Sequence, residues 1–338
     1  MDGLSKRSEL VTLLGLGLVS YTTYRLLDWY RRSRWVLVGQ VTRLYIHPVK
    51  SCAAIQLTEA EATELGLRSG EMADRRFMVV ISGPNEVWNM LTARKKSAMV
   101  LLKSSVENNV LTLTAPADFT VPNHRISVNL DDVKNTGKVL KVKMWSQQIV
   151  DGVDCGDEVA DWLCSCLDFE PGYCRLLWQA DTQRVISSGP VGWHPQRQGN
   201  SSYGDLTPYL LVTEQSFNKV QSAVDLPLDM RAFRPNIVVT GTKPFDEDKW
   251  NEVRIGDAFF TNIKMCWRCV MTTINPETGK NDPKSRPWET IRTFHTAGQI
   301  IGSKKAGDNA KKGVFGINLF LDNPGTIKVG DVVWARYR

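Results

Sequence analysis

Along most of the chain, apolar positions come in short runs broken by glycine, proline, asparagine or aspartate, the pattern of brief β-strands bounded by turns. In VGQVTRLYIHPVKS, Val41, Leu44 and Ile46 recur on the way to Pro48, which ends the run. RRFMVVIS, NVLTLTAP, HRISVNL, KVLKVKMW and QQIVDGV repeat this design, as does RPNIVVTG further on. The terminal NPGTIKVGDVVWARY reads as a turn, a strand, a Gly-Asp turn and a closing strand. Two segments have helical spacing instead. DEVADWLCSCLDF places Val159, Trp162, Leu163 and Cys166 near one face, and TEQSFNKVQSAV begins with Thr213 as a cap. From Gln183 to Gly204 the chain is rich in Gly, Ser, Pro and Gln and has no period, so a domain boundary is placed there. The expected class is α+β and β-rich, with a tail at 1–35, one domain at 36–182 and another at 183–338.

The tail carries an uncharged run, Leu10 to Tyr24, flanked by Lys6 and Arg7 before it and by Arg25, Arg31, Arg32 and Arg34 after it. This reads as a membrane-anchor helix, short enough against a hydrocarbon core of about 30 Å that Arg25 must snorkel or the bilayer be thin. Ser20-Tyr21-Thr22-Thr23 offers no signal-cleavage pattern, and Asp2 and Glu9 argue against a matrix presequence. Basic residues are denser after the run, which leaves the body of the protein on the cytosolic side.

Composition adds exclusions. The net charge of +6 is spread over interleaved basic and acidic residues, so no nucleic-acid footprint is expected. Seven scattered cysteines do not form a secreted disulfide framework, and a reducing compartment follows. There is no phosphate-binding P-loop and no strand-borne G-x-G-x-x-G, since Gly15 and Gly17, the one G-x-G, lie in the apolar run. The four histidines are too far apart for a compact metal motif, and no G-x-S-x-G elbow exists.

Candidate chemistry gathers at Met265-Cys266-Trp267-Arg268-Cys269-Val270. On spacing alone this C-x-x-C is ambiguous between buried structural cysteines, half of a zinc site and a redox pair. An arginine beside a cysteine favours the thiolate.

The ordered set HPVKSC, DRRFMV, FRPNI, CWRC and NPGTIKVGD resembles the MOSC-domain molybdenum enzymes, in particular their amidoxime-reducing branch, from about Val38 to the end. The resemblance implies a MOSC β-barrel domain preceded by its N-terminal β-barrel partner. It also implies a molybdenum-molybdopterin cofactor, with Cys269 as catalytic residue and thiolate ligand of the metal. By the same resemblance Lys50, Ser51, Arg75, Arg234 and Arg268 bind the cofactor, whose phosphate calls for a Lys point charge, Arg forks and hydroxyl donors. Leu206, Thr207, Trp267 and Asn318 stand at further cofactor positions where this chain departs from animal relatives. Leu206-Thr207-Pro208 keeps one hydroxyl of a Thr-Ser dyad, Trp267 replaces a small residue, and Asn318 replaces a tyrosine. Asn236 reads equally as a turn cap, and Asp154 as a turn former.

The implied reaction reduces N-hydroxylated compounds (amidoximes, hydroxylamines, N-oxides) with electrons from NADH through cytochrome b5 reductase and cytochrome b5, at the mitochondrial outer membrane. Two rivals are a sulfurase, for whose pyridoxal-phosphate domain 338 residues leave no room, and a non-enzymatic cofactor store or scaffold.

Overall fold

The computed structural model describes residues 21–23, 25, 33–145, 148–179, 184–187, 193 and 197–338. The anchor run Leu10–Tyr24 lies outside the described residues except for 21–23. No helix among the described residues is long and apolar enough to cross a membrane.

The short strands build two bodies of sheet. Five of them, Val139–Lys143, Ile149–Asp154, Cys174–Gln179, Phe77–Ile81 and Trp88–Met90, close into a barrel. Phe77–Ile81 is buried at every position, because one side faces the barrel interior and the other a second apolar layer. Inside lie Met78, Val80, Val142, Leu177 and Tyr203. Outside, the helix Asp157–Cys166 lays Val159, Trp162 and Leu163 on the wall, with Leu111, Leu113 and Val128 of a three-stranded sheet. Each such fully buried side chain contributes about 1.5–3 kcal/mol.

The larger sheet has eight strands, in the order Ile237–Thr240, Tyr209–Thr213, Val314–Asn323, Ala258–Trp267, Trp250–Ile255, Val332–Tyr337, Val36–Ile46, Ile55–Leu57. Val36–Ile46 also pairs with Ile237–Thr240, which brings the sheet back on itself. The first long strand of the chain is thus built into the sheet of the C-terminal half, beside the closing strand. Its core is Leu44, Ile46, Tyr209, Trp250, Phe260 and Ile317.

The chain then crosses into the five-stranded barrel, and the crossing matters for the site. Val49 bridges Phe77, the Lys50 amide donates to the Phe77 carbonyl at 2.8 Å, and the Arg75 amide donates to the His47 carbonyl at 2.8 Å. HPVKSC and DRRF therefore run side by side at the seam between the two bodies.

The aperiodic segment after Gln183 holds a hairpin that no spacing announced, Arg184–Ser187 with Gln198–Ser201. Gln, Gly and Asn are poor strand formers, and the pairing is favoured by packing. A Cβ at Gly199 would meet the Phe320 ring at 2.7 Å, so only glycine lets the two approach.

Candidate active site

Three side chains at the seam leave backbones in the left-handed region: Ser51 (φ 68°), Arg75 (φ 52°) and Arg234 (φ 54°). For residues with a Cβ this costs roughly 1–2 kcal/mol each, and the surrounding hydrogen bonds hold it in place. Asp74 supplies much of that hold. Its buried carboxylate accepts from the His47 amide at 2.7 Å and pairs with the Arg75 guanidinium. Burial opposes its charge, but Arg75 and His47 keep the Asp74 carboxyl down at about 2. Burial, together with nearby Arg234, pushes His47 down to about 3, so its ring is neutral.

Lys50 is 4% exposed. Its Nζ donates to the Tyr203 carbonyl at 2.8 Å and pairs with Asp205. Burial lowers its pKa to about 8 against the pull of Asp205. The half-exposed Asp205 also accepts from the Trp145 indole at 2.8 Å and lies 3.6 Å from Arg94, which stacks over that same Trp145 ring. Partial burial works against its charge, yet Lys50, Trp145 and Arg94 hold the carboxyl well below the usual range. The loop that carries Asp205 and Leu206 is propped from behind by Arg184, which donates to the Gly204 carbonyl at 2.5 Å.

Arg234 donates through Nη1 to the Cys52 carbonyl at 2.7 Å, while its Nη2 is buried without a hydrogen-bond partner. Burial and the charge of Arg75 lower it to about 10, and it stays cationic at neutral pH. Asn236 works within the protein: its side chain accepts from the Leu210 amide at 3.2 Å and donates to the Tyr45 carbonyl at 3.2 Å.

The two cysteines of CWRC are placed differently. The strand Ala258–Trp267 bulges between Met265 and Trp267, which re-aims the chain at Cys266. Cys269 follows as the cap of the 3-10 turn Val270–Thr273, its carbonyl accepting from the Thr272 amide at 3.1 Å. Arg268 donates to the Cys266 sulfur at 3.0 Å and to the Phe233 carbonyl at 2.6 Å. In the fold the guanidinium reaches the sulfur of the first cysteine of the pair. Trp267 lies between two lysines, with the Lys264 ammonium 3.8 Å and the Lys312 ammonium 4.6 Å from its ring. Thr207 donates to the Tyr209 carbonyl at 3.0 Å and to Asn318 at 3.3 Å, and Asn318 donates to the Met265 carbonyl at 3.2 Å.

These residues meet around one cavity of about 850 Å³. Lys50, Ser51, Arg75, Leu206, Thr207, Arg234, Trp267, Arg268, Cys269 and Asn318 all line it. Nine cationic side chains and two carboxylates contribute to its wall, so it is built for an anion. Asp154 is elsewhere, making a turn by accepting from the Gly156 amide at 3.2 Å.

Sequence reasoning missed Arg94, Trp145, Asp205, Lys264, Arg292, Lys311 and Lys312. Asp205 alone had a usable signal, a carboxylate directly before Leu206-Thr207. The basic residues come from a strand, a helix and loops distant in the chain, whose proximity no local pattern encodes.

Residues 38–170 match the model of the MOSC N-terminal beta barrel domain and residues 198–334 that of the MOSC domain. Over 328 residues the chain is 34% identical to mouse mitochondrial amidoxime-reducing component 1, covering 96% of this chain and 91% of the mouse protein. The chain belongs to the mitochondrial amidoxime-reducing component family. The human component 1 is 33% identical over 96% of this chain, and the bovine component 2 is 32% identical over 90%. The β-rich architecture expected of a MOSC pair is present in both halves. Among the described residues no group of His, Cys, Asp and Glu forms an all-protein metal cluster. Cys269 stands in the wall of the cation-rich cavity.

Proposed function

We propose that the protein is a molybdenum-cofactor-dependent reductase of N-hydroxylated compounds (amidoximes, hydroxylamines and N-oxides). Its electrons originate at NADH and arrive through cytochrome b5 reductase and cytochrome b5. The observation that carries this reading is the meeting of HPVKSC, DRR, FRPNI and CWRC side chains around one cation-rich cavity with Cys269 in its wall.

The cavity's donors fit a phosphate-bearing metal cofactor. The unpartnered Nη2 of Arg234 and the unpartnered Nε of Arg268 and Nε1 of Trp267 are buried donors that a polar anionic ligand would satisfy. Lys50 would contribute a point charge, Arg75 and Arg234 planar forks, and Ser51 a hydroxyl to the phosphate. Leu206 through its main chain, Thr207, Trp267, Arg268 and Asn318 would hold the rest of the pterin, and the soft sulfur of Cys269 would ligate molybdenum. When bound, the metal supplies the two-electron reduction that breaks the N–O bond to leave an amidine or amine.

The chain's own part is to bind, orient and tune. The αL backbones of Ser51, Arg75 and Arg234 set three donors toward one space before any ligand arrives, and that preorganisation spares ordering entropy on binding. Neither a nicotinamide nor a flavin fingerprint occurs in the chain, so reducing equivalents must come from a partner protein. We assign residues 36–182 and 183–338 to the two domains and residues 1–35 to an anchor in the mitochondrial outer membrane, the catalytic body facing the cytosol. Tethering donor and acceptor to one surface raises their effective concentration.

The test is reconstitution. Full-length protein from a cofactor-making host, supplied with cytochrome b5, its reductase and NADH, should convert benzamidoxime to benzamidine. The Cys269→Ala variant should be folded by circular dichroism and inactive. Full activity in that variant overturns the assignment of Cys269.

A further inference from the structure

Outside the lining of the cavity, the sulfurs of Cys164 and Cys174 lie 3.0 Å apart in the core of the N-terminal half, both less than 2% exposed. Cys164 is on the helix Asp157–Cys166 and Cys174 opens the strand Cys174–Gln179. The Cys174 amide donates to the Cys164 sulfur at 3.3 Å, and the Cys174 thiol donates to the Ala160 carbonyl at 3.6 Å. These contacts aim the two sulfurs at each other, only about 1 Å beyond a covalent S–S bond. Cys52, Cys155 and Cys166 share the same core, yet no sulfur-to-sulfur contact is described for them.

We infer that Cys164 and Cys174 form a redox site: hydrogen peroxide converts the pair to an intrachain disulfide that clamps the helix to the barrel wall. One sulfur attacks the peroxide, whose O–O bond breaks to leave a sulfenic acid and water. The second thiol then displaces hydroxide from that sulfur; the S–S bond forms and a second water leaves with the remaining proton. Two thiol hydrogens and two electrons pass to the peroxide, and a small dithiol reverses the change. In a reducing compartment such a link is transient rather than structural.

Access comes through the loop between the two cysteines. Asp168, Glu170, Pro171, Gly172 and Tyr173 are exposed, so lifting this stretch uncovers Cys174 without opening the rest of the core. Burial pushes the Cys174 thiol well up, which makes oxidation slow near neutrality and faster as pH rises. The link would brace a strand that pairs, from Cys174 opposite Ile81 to Trp178 opposite Phe77, with the strand leading out of Arg75 and Arg76. Oxidation thereby stiffens the barrel half of the cavity.

The experiment treats full-length protein with hydrogen peroxide, blocks remaining thiols with iodoacetamide after denaturation, and digests with trypsin and a protease that cleaves before aspartate. Trypsin leaves Met144 to Arg175 as one peptide holding Cys155, Cys164, Cys166 and Cys174, and cleavage before Asp168 separates Cys174 from the rest. The expected result is a fragment pair that stays linked until reduced, with fragmentation spectra placing the bond on Cys164. The Cys166→Ser variant should keep the link, and the oxidised wild type should melt a few degrees higher than the reduced form. Absence of the linked pair, a bond placed on Cys166 or Cys155, or an unchanged or lower melting temperature on oxidation would each overturn the inference.

Discussion

The Arg268 guanidinium donates to the sulfur of Cys266 at 3.0 Å, although Cys269 is its neighbour in the chain. The C-x-x-C pair is therefore divided between two tasks. Cys266 anchors an arginine whose second bond, to the Phe233 carbonyl, ties CWRC to FRPNI, whereas Cys269 stands in the cavity wall.

Cys266→Ala should leave that guanidinium partly unpaired and cost about 1–3 kcal/mol of stability. Metal content per folded molecule should hardly change. Chemical denaturation alongside elemental analysis checks both halves of this expectation, and complete metal loss with unaltered stability would reverse the two cysteines' roles.

Burial lowers Lys50 to about 8 even with Asp205 pulling the other way, so its charge near neutral pH leans on that carboxylate. Anion binding should weaken as pH rises through about 8 in the wild type. In Asp205→Asn the lysine loses the carboxylate that keeps it charged, so the same weakening should begin at lower pH. Cofactor retention after dialysis across a pH series measures this, and superimposable profiles would count against the pairing.

The fate of HPVKSC and DRR illustrates what could be read without coordinates. The strands Phe77–Ile81, Val110–Thr114, Arg125–Asn129, Val139–Lys143 and Ile237–Thr240 fall within segments legible from apolar spacing, and Ile149–Asp154 runs one residue past its segment; each has one or both faces buried. Thr213 caps its helix as read, accepting from the Ser216 amide. Other features depended on distant parts of the chain. That Val36–Ile46 joins the C-terminal sheet is fixed by pairing with residues about 300 positions away, for which no local pattern exists. Lys264, Lys312 and Trp267 likewise meet only because a strand and a loop converge. The left-handed backbones of Ser51, Arg75 and Arg234 were invisible too, since none is a residue type that favours that region.

Trp267 should shape substrate choice more than the reaction itself. Trp267→Ala removes the ring that Lys264 and Lys312 cover, and opens the cavity wall near Cys269. We expect KM for benzamidoxime to rise about threefold to tenfold, the scale of a lost aromatic–cation arrangement, with kcat altered less. A fall in kcat at constant KM would instead give the ring a role in the reacting state.

His47 makes stability depend on pH. Its folded pKa, lowered to about 3 by burial, lies below the ordinary value of 6.5. The unfolded chain therefore takes up a proton first, and stability present above 6.5 is lost as pH falls toward 3. Between about pH 7 and about pH 5 the wild type should lose about 2 kcal/mol more than a His47→Gln variant, by the 1.36 kcal/mol per unit linkage. Urea titrations at the two pH values give the number, and equal losses in both proteins would remove His47 from the account.

The most direct test of the central claim is metal analysis of the purified full-length protein combined with X-ray absorption at the molybdenum edge. The account predicts about one molybdenum per chain, with a sulfur shell that loses one scatterer in Cys269→Ser and stays intact in Cys266→Ser. Protein that arrives from a cofactor-making host without molybdenum, or a sulfur shell unchanged by Cys269→Ser, would contradict it.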